Sequence, residues 1–203
     1  MLKIGLTGNM GSGKTTVSKI FEILGVPVFY ADDEAKKVMV TDPVLVQNIK
    51  SAFGTNAYFD DGALNRKHIS AIAFNNETEL QRLNALVHPA VFRAFDTWVA
   101  NIKAAPYVVK EAALLFESDS YKLCDATVMV TAPLEDRVKR AMKRDGLTRA
   151  EVESRNARQF PEEKKAALAD HIVTNDNIEL VIPQVFELHS VFSSMAQKDQ
   201  LNQ

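Results

Sequence analysis

Eight residues near the start of the chain have the types and spacing that hold a phosphate: Gly8-Asn9-Met10-Gly11-Ser12-Gly13-Lys14-Thr15, the pattern G-x-x-x-x-G-K-[ST]. The glycines let the backbone turn tightly enough to aim successive N–H groups at one anion. A helix starting at the end of the loop adds the positive end of its dipole. The Lys14 ammonium reaches the β- and γ-oxygens of ATP, and the Thr15 hydroxyl can ligate Mg²⁺. At average residue usage the pattern arises by accident in roughly one chain in a hundred of this size. Its position, after an apolar strand-like run and before a helical pattern, is the one the mechanism requires. The D-x-x-G and N-K-x-D tetrapeptides of GTP-binding switches do not occur. A compact chain with helical insertions then suits a small-molecule or nucleotide kinase.

A phosphoryl acceptor needs a base and a phosphoryl donor needs cations around it, and the sequence offers candidates for both. The second strand pattern ends at Tyr30, and Ala31-Asp32-Asp33 follow. A right-handed strand–helix–strand crossover puts the carboxyl ends of the first two strands on one sheet edge, so Asp32 is expected beside the phosphate loop. There it can take or orient a hydroxyl proton; it can also be a dipole-favoured helix-start acid, the role left to Asp33. Arg137, Arg140 and Arg144 fall on one helix face, flanked by Lys139 and Lys143. They read either as a closing lid over the transferred phosphoryl group or as a solvated basic helix. Glu111 after an apolar run is a second Mg²⁺ candidate or an exposed strand-end acid. His88 is a substrate contact or a helix-start histidine. His68, His171 and His189 have no constellation around them, and no His/Cys set has metal-ligand spacing.

The elements that must position these groups follow from periodicity. Strands are expected at residues 2–7, 26–30, 107–109, 126–130 and 171–174, all in one sheet. Helices are expected over 15–24, 33–40, 44–53, 69–74 and 78–103, with Pro89 starting a new helix inside the last. Asp60-Asp61-Gly62 reads as a turn. Thr148-Arg149-Ala150-Glu151 fits a capping box, and Pro161 fits the first turn of another helix. Val181, Val185, Leu188, Phe192 and Met195 form one stripe of a C-terminal helix starting or kinking near Pro183. Residues 197–203 are expected to fray.

The 203 residues are 46% hydrophobic, enough for a sizeable core, with net charge −2 and pI about 6.1. No general basic field draws such a chain to nucleic acid or a membrane. With Cys124 alone there is no internal disulfide, which fits a reducing cytoplasm. No signal peptide or apolar span long enough for a bilayer is read in the sequence.

Seven motifs in order resemble those of the dephospho-CoA kinases. They are Leu6-Thr7-Gly8 through Thr16 at the loop, Tyr30-Ala31-Asp32, Asp61-Gly62 through Arg66, His88-Pro89, Ala113-Leu114-Leu115-Phe116-Glu117, Arg144-Asp145-Gly146-Leu147, and Ala169-Asp170 through Asn175. The resemblance spans residues 2 to about 185. It implies ATP- and Mg²⁺-dependent transfer to the 3′-hydroxyl of the ribose of dephospho-CoA. It implies an α/β fold of P-loop kinase type, a parallel five-stranded sheet flanked by helices, with a helical substrate-binding insertion and a helical lid. The nested parts expected are a core of 1–31, 104–134 and 167–203, a CoA-binding part of 32–103 and a lid of 135–166. Asp32, Lys14 and Arg140 are expected to take the catalytic roles. Gly11, Ser12, Gly13, Lys14, Thr15, Thr16, Arg144 and Asn175 are expected to bind the nucleotide. Asp32, Arg66, His88 and Glu117 are expected to bind the acceptor, and Thr15 and Glu111 to hold the metal. The chain departs from the family pattern in Tyr30 for Asp, Glu111 for Asp and Ala113 for Pro. The expected partner is dephospho-CoA, with no nucleic acid and no membrane, and a monomer is expected. Another nucleotide kinase of similar fold, or a nucleotide-binding switch without turnover, are the competing readings.

Overall fold

The computed structural model describes residues 1–73 and 76–201, side chains through 198. The chain divides into two compact units, residues 1–30 with 102–203 and residues 31–101.

The first unit is built on five parallel strands: β1 (Leu2–Thr7), β2 (Val28–Tyr30), β3 (Tyr107–Glu111), β4 (Ala126–Thr131) and β5 (His171–Thr174). Their order is β2-β3-β1-β4-β5. Parallel strands are buried on both faces, which is why β3 is buried at every position and β1 and β4 at all but one. Helix α1 (Lys14–Ile23) and helix α9 (Val181–Leu201) cover one face. There Ile4 and Leu6, Val17 and Phe21, Tyr107 and Val109, and Val185 and Phe192 form one core cluster. The stripe read from the sequence is that cluster's α9 contribution, with Pro183 in the first turn, where a missing N–H costs nothing. Asp170 ties β5 to β4: its carboxylate accepts from the Thr127 N–H and hydroxyl at 2.8 and 2.7 Å.

Between β4 and β5 lie α6 (Leu134–Asp145), α7 (Arg149–Asn156) and α8 (Glu162–Leu168). The Thr148–Glu151 capping box is formed in both directions, and α7 starts at Arg149 as expected. Pro161 is the N-cap of α8.

The second unit is helical: α2 (Ala31–Thr41), α3 (Pro43–Phe53), α4 (Arg66–Ala73) and α5 (Glu77–Ala100). Leu45, Ile49, Phe53, Ile69, Leu83, Val87, Val91 and Phe95 are buried in it. The Asp60-Asp61-Gly62 turn closes between Phe59 and Ala63, beside an isolated bridge from Tyr58 to Leu64. Asp42 caps α3 by accepting from the Val44 and Leu45 N–H groups, both at 3.0 Å, and pairs with Arg93 at 2.6 Å.

Four expectations are corrected. Pro89 does not start a helix but lies inside α5. Its ring is on the exposed side while Val87, Ala90 and Val91 are buried, so packing of the inner face holds the helix through the lost hydrogen bond. β2 is three residues long rather than five: the Val26 N–H is taken by Phe21, and Pro27 has no N–H for the ladder. β3 runs on through Lys110 to Glu111. The C-terminal helix continues to Leu201 instead of fraying from 197, and Asn202 and Gln203 lie outside the described residues. So does Phe74, the expected end of α4.

The Asp42 carboxyl is held below the usual aspartate range, first by the Leu45 N–H and then by Arg93. A depressed folded value means its stabilising contribution is complete above the unfolded value and fades as pH falls through the folded one. Asp42→Ala should therefore cost about 1–2 kcal/mol near neutral pH. Thermal unfolding across a pH series should show the variant and wild-type curves converging as pH falls below the ordinary aspartate value.

Candidate active site

β1 is the central strand from which the chain runs to β2 on one side and, after β3, to β4 and β5 on the other. In open parallel sheets ligands sit beyond the carboxyl ends of the strands at such a reversal, and the loop of residues 8–13 is there. Its backbone needs glycine for two reasons. Gly11 and Gly13 have φ of 79° and 104°, in the left-handed region. A Cβ on Gly11 would lie 2.1 Å from the Arg137 carbonyl oxygen, and one on Gly13 would lie 2.2 Å from Asn175 Nδ2.

Lys14 is the first residue of α1. Its Nζ donates to the Gly8 carbonyl at 2.9 Å and stands 4.0 Å from Glu111 Oε1. Glu111 is 7% exposed. Of the two readings left open for it, an exposed strand-end acid does not fit; it is a buried carboxylate beside the loop lysine.

A cavity of about 520 Å³ opens over the loop, lined by Gly11, Gly13, Lys14, Thr15, Thr16, Arg140, Lys143 and Arg144. Its side chains are cationic or hydroxylic, which suits an anion at a helix N-terminus. Asn175 spans from this site to the strand behind it: its Nδ2 donates to the Ser12 carbonyl at 2.7 Å, and its own carbonyl accepts from Arg140 Nη2 at 3.1 Å. Arg140 Nη2 also donates to Asn177 at 2.9 Å, whereas the buried Nη1 has no hydrogen-bond partner among the described residues. A buried guanidinium donor left over beside lysines and loop amides fits a nucleotide phosphate.

The arginine face of α6 splits into separate jobs. Arg137 is 5% exposed, pairs with Glu162 at 2.6 Å and donates to the Ala132 carbonyl and to Asn156, so it is a structural residue. Arg140 lines the cavity. Arg144 is exposed, and the Asp145 carboxylate it grips through two 2.8 Å bonds raises its pKa.

Tyr30, at the end of β2, is in register with Glu111. Burial, and then the Glu22 carboxylate, push its phenol up to about 12. It therefore presents no negative charge where the resembling family has its first Asp. Glu117 does not stand open: its Oε1 accepts from the Phe160 N–H at 2.7 Å and pairs with Lys165 at 2.9 Å.

In the helical unit Asp32 is in the exposed first turn of α2, two residues after Tyr30. Arg66 opens α4 and is exposed. His88 is mid-helix in α5, stacked on Phe92 with centroids 6.3 Å apart, so the helix-start alternative is gone. Sequence reasoning passed over Lys165, Gln159 and Asn156. Their only signal was a position in a charged stretch, and their partners are distant in sequence.

The fold and site define a P-loop kinase. The sequence model of one family, described as dephospho-CoA kinase, matches residues 2–180. The chain is 37% identical over 187 residues to a dephospho-CoA kinase of Bacteroides fragilis, covering 92% of this chain and 91% of that one. It is 40% identical over 180 residues to that of Salinibacter ruber, covering 87% and 89%. Among solved structures it resembles a Thermus thermophilus protein with TM-score 0.82 at 33% identity, covering 94% and 96%. It also resembles the dephospho-CoA kinase from Campylobacter jejuni with TM-score 0.67 at 25% identity, covering 95% and 97%. A shikimate kinase from Bacteroides thetaiotaomicron, at 16% identity and TM-score 0.52 over 94% of this chain and 97% of that one, shares the fold. The chain belongs to the dephospho-CoA kinase family.

Gly13→Ala is a direct test of the loop geometry. It should weaken ATP binding at least about tenfold in a calorimetric titration, by strain at positive φ and collision with Asn175, while helical circular dichroism stays unchanged.

Proposed function

We propose that this chain transfers the γ-phosphoryl group of ATP to the 3′-hydroxyl of the ribose of dephospho-CoA, giving coenzyme A and ADP. The observation that carries this is the cationic cradle of Gly11, Gly13, Lys14 and Arg140 in a chain of this family. The acceptor oxygen attacks the γ-phosphorus, the bond to the β–γ bridging oxygen breaks, and ADP leaves. Asp32 accepts the hydroxyl proton. Lys14 and Arg140 stabilise charge on the transferring group, with Arg144 closing over it. Ser12, Thr16 and Asn175 complete the nucleotide side, and Arg66 and His88 hold the acceptor. Residues 32–103 are the CoA-binding part and residues 135–166 the lid. The enzyme works as a cytoplasmic monomer, without nucleic acid or membrane.

Thr15, a hydroxyl residue, lines the cavity with Lys14, and the buried Glu111 carboxylate stands 4.0 Å from the Lys14 ammonium, two hard oxygen donors; no cluster of three or more acidic, His or Cys ligands exists among the described residues. That donor set fits Mg²⁺, which keeps several waters and binds through one or two protein oxygens and the phosphates. When bound, Mg²⁺ would neutralise charge on the ATP oxygens. No helix among the described residues is long and apolar enough to cross a membrane.

A coupled ADP assay should show turnover with dephospho-CoA and none above background with adenosine or AMP. Stimulation by a nucleoside monophosphate alone would move the chain to the nucleotide kinases. Asp32→Asn should lower kcat by about 10²–10⁴-fold with ATP affinity unchanged. Glu111→Gln should raise the Mg²⁺ concentration needed for half-maximal rate.

A further inference from the structure

The segment joining α7 to α8 holds the phosphate loop from outside the anion cradle. Gln159 Oε1 accepts the Met10 N–H at 2.9 Å. Asn9, only 1% exposed, donates through Nδ2 to the Phe160 carbonyl at 3.1 Å and reaches Asn156 Oδ1 at 3.5 Å. The segment is itself anchored. Its Phe160 N–H donates to Glu117 Oε1 at 2.7 Å, and that oxygen also meets Lys165 Nζ at 2.9 Å. Lys165 is fully buried and donates to the Ala113 carbonyl at 2.8 Å, toward which Gln159 Nε2 also points, at 3.5 Å. The second Glu117 oxygen, Oε2, is buried and has no hydrogen-bond partner among the described residues. One Glu117 oxygen is thus committed to the Phe160 N–H and to Lys165, which ties the carboxylate to the segment that holds the loop.

Resting on the kinase reading above, we propose that Gln159 is a positioning residue for the phosphate loop, and that Glu117 holds Gln159 in place through its buried contacts rather than binding the acceptor. A glycine-rich loop has more conformational freedom to lose than any other backbone, and its convergent amides repel until an anion arrives. Tethers at Asn9 and Met10 set that order before ATP binds, so the nucleotide does not have to supply it. Losing the tether weakens ATP binding and leaves the acceptor site alone. Within residues 135–166, the stretch from Asn156 to Lys165 is then the fixed stem of the lid.

The experiment is two-substrate kinetics with an equilibrium ATP titration on the full chain. Gln159 is half-buried, so its isosteric replacement by Met spares the core. Gln159→Met should raise both the Kd and the KM for ATP about tenfold while the KM for dephospho-CoA moves less than about twofold. Gln159→Glu keeps the acceptor oxygen and should recover most of the loss. The double change Glu117→Gln with Lys165→Met removes both charges together, avoiding a single buried ion, and should shift ATP affinity in the same direction. Wild-type ATP affinity in Gln159→Met, or a double variant that loses dephospho-CoA affinity alone, overturns the inference. Failure of the unmodified chain to bind ATP would overturn the kinase reading instead, and the same titration separates the two.

Discussion

A phosphate site made of backbone amides depends on a loop whose shape is held by segments distant in sequence. The loop of residues 8–13 puts Gly11 and Gly13 at positive φ, and free peptide would not stay there. Its shape comes from what surrounds it. The Arg137 carbonyl leaves no room for a Cβ on Gly11, the Asn175 amide leaves none on Gly13, and Gln159 and Phe160 hold Met10 and Asn9. These neighbours come from α6, from the turn after β5 and from the α7–α8 junction. The central place of β1 brings all three segments to the end of one strand.

The electrostatics repeat this dependence. Three arginines spaced along α6 look equivalent, yet burial assigns them different work. Arg137 is spent on Glu162 and Asn156 inside the protein, Arg140 keeps a buried donor beside the loop, and Arg144 binds its neighbour Asp145. Two acids, buried Glu111 and half-buried Glu117, divide in the same way. Glu111 stands beside Lys14 at the site, whereas Glu117 is matched to Lys165 and to a backbone N–H. A carboxylate removed from water needs a cation and hydrogen bonds wherever it sits, so pairing alone does not mark a catalytic group.

The helical unit shows how far packing overrides local signals. Pro89 removes a hydrogen bond from the middle of α5, and the buried face of Val87, Val91 and Phe95 keeps the helix continuous. Asp42 both caps α3 and pairs with Arg93 of α5, joining two helices at one carboxylate.

The features legible in the sequence were those whose causes are local. The loop residues from Gly8 to Thr15, the Thr148–Glu151 capping box, the apolar strands and the α9 stripe each follow from a few neighbouring side chains and a fixed period. The ordered motifs carried the family. The tertiary structure decided the rest: that Pro89 sits within one helix, that Glu111 is buried at the end of β3, that Arg137 is structural, and that Glu117 meets Lys165 and Phe160. Those outcomes depend on which distant segments pack together and exclude water. Burial and partner, more than residue type or spacing, set what an ionisable side chain can do.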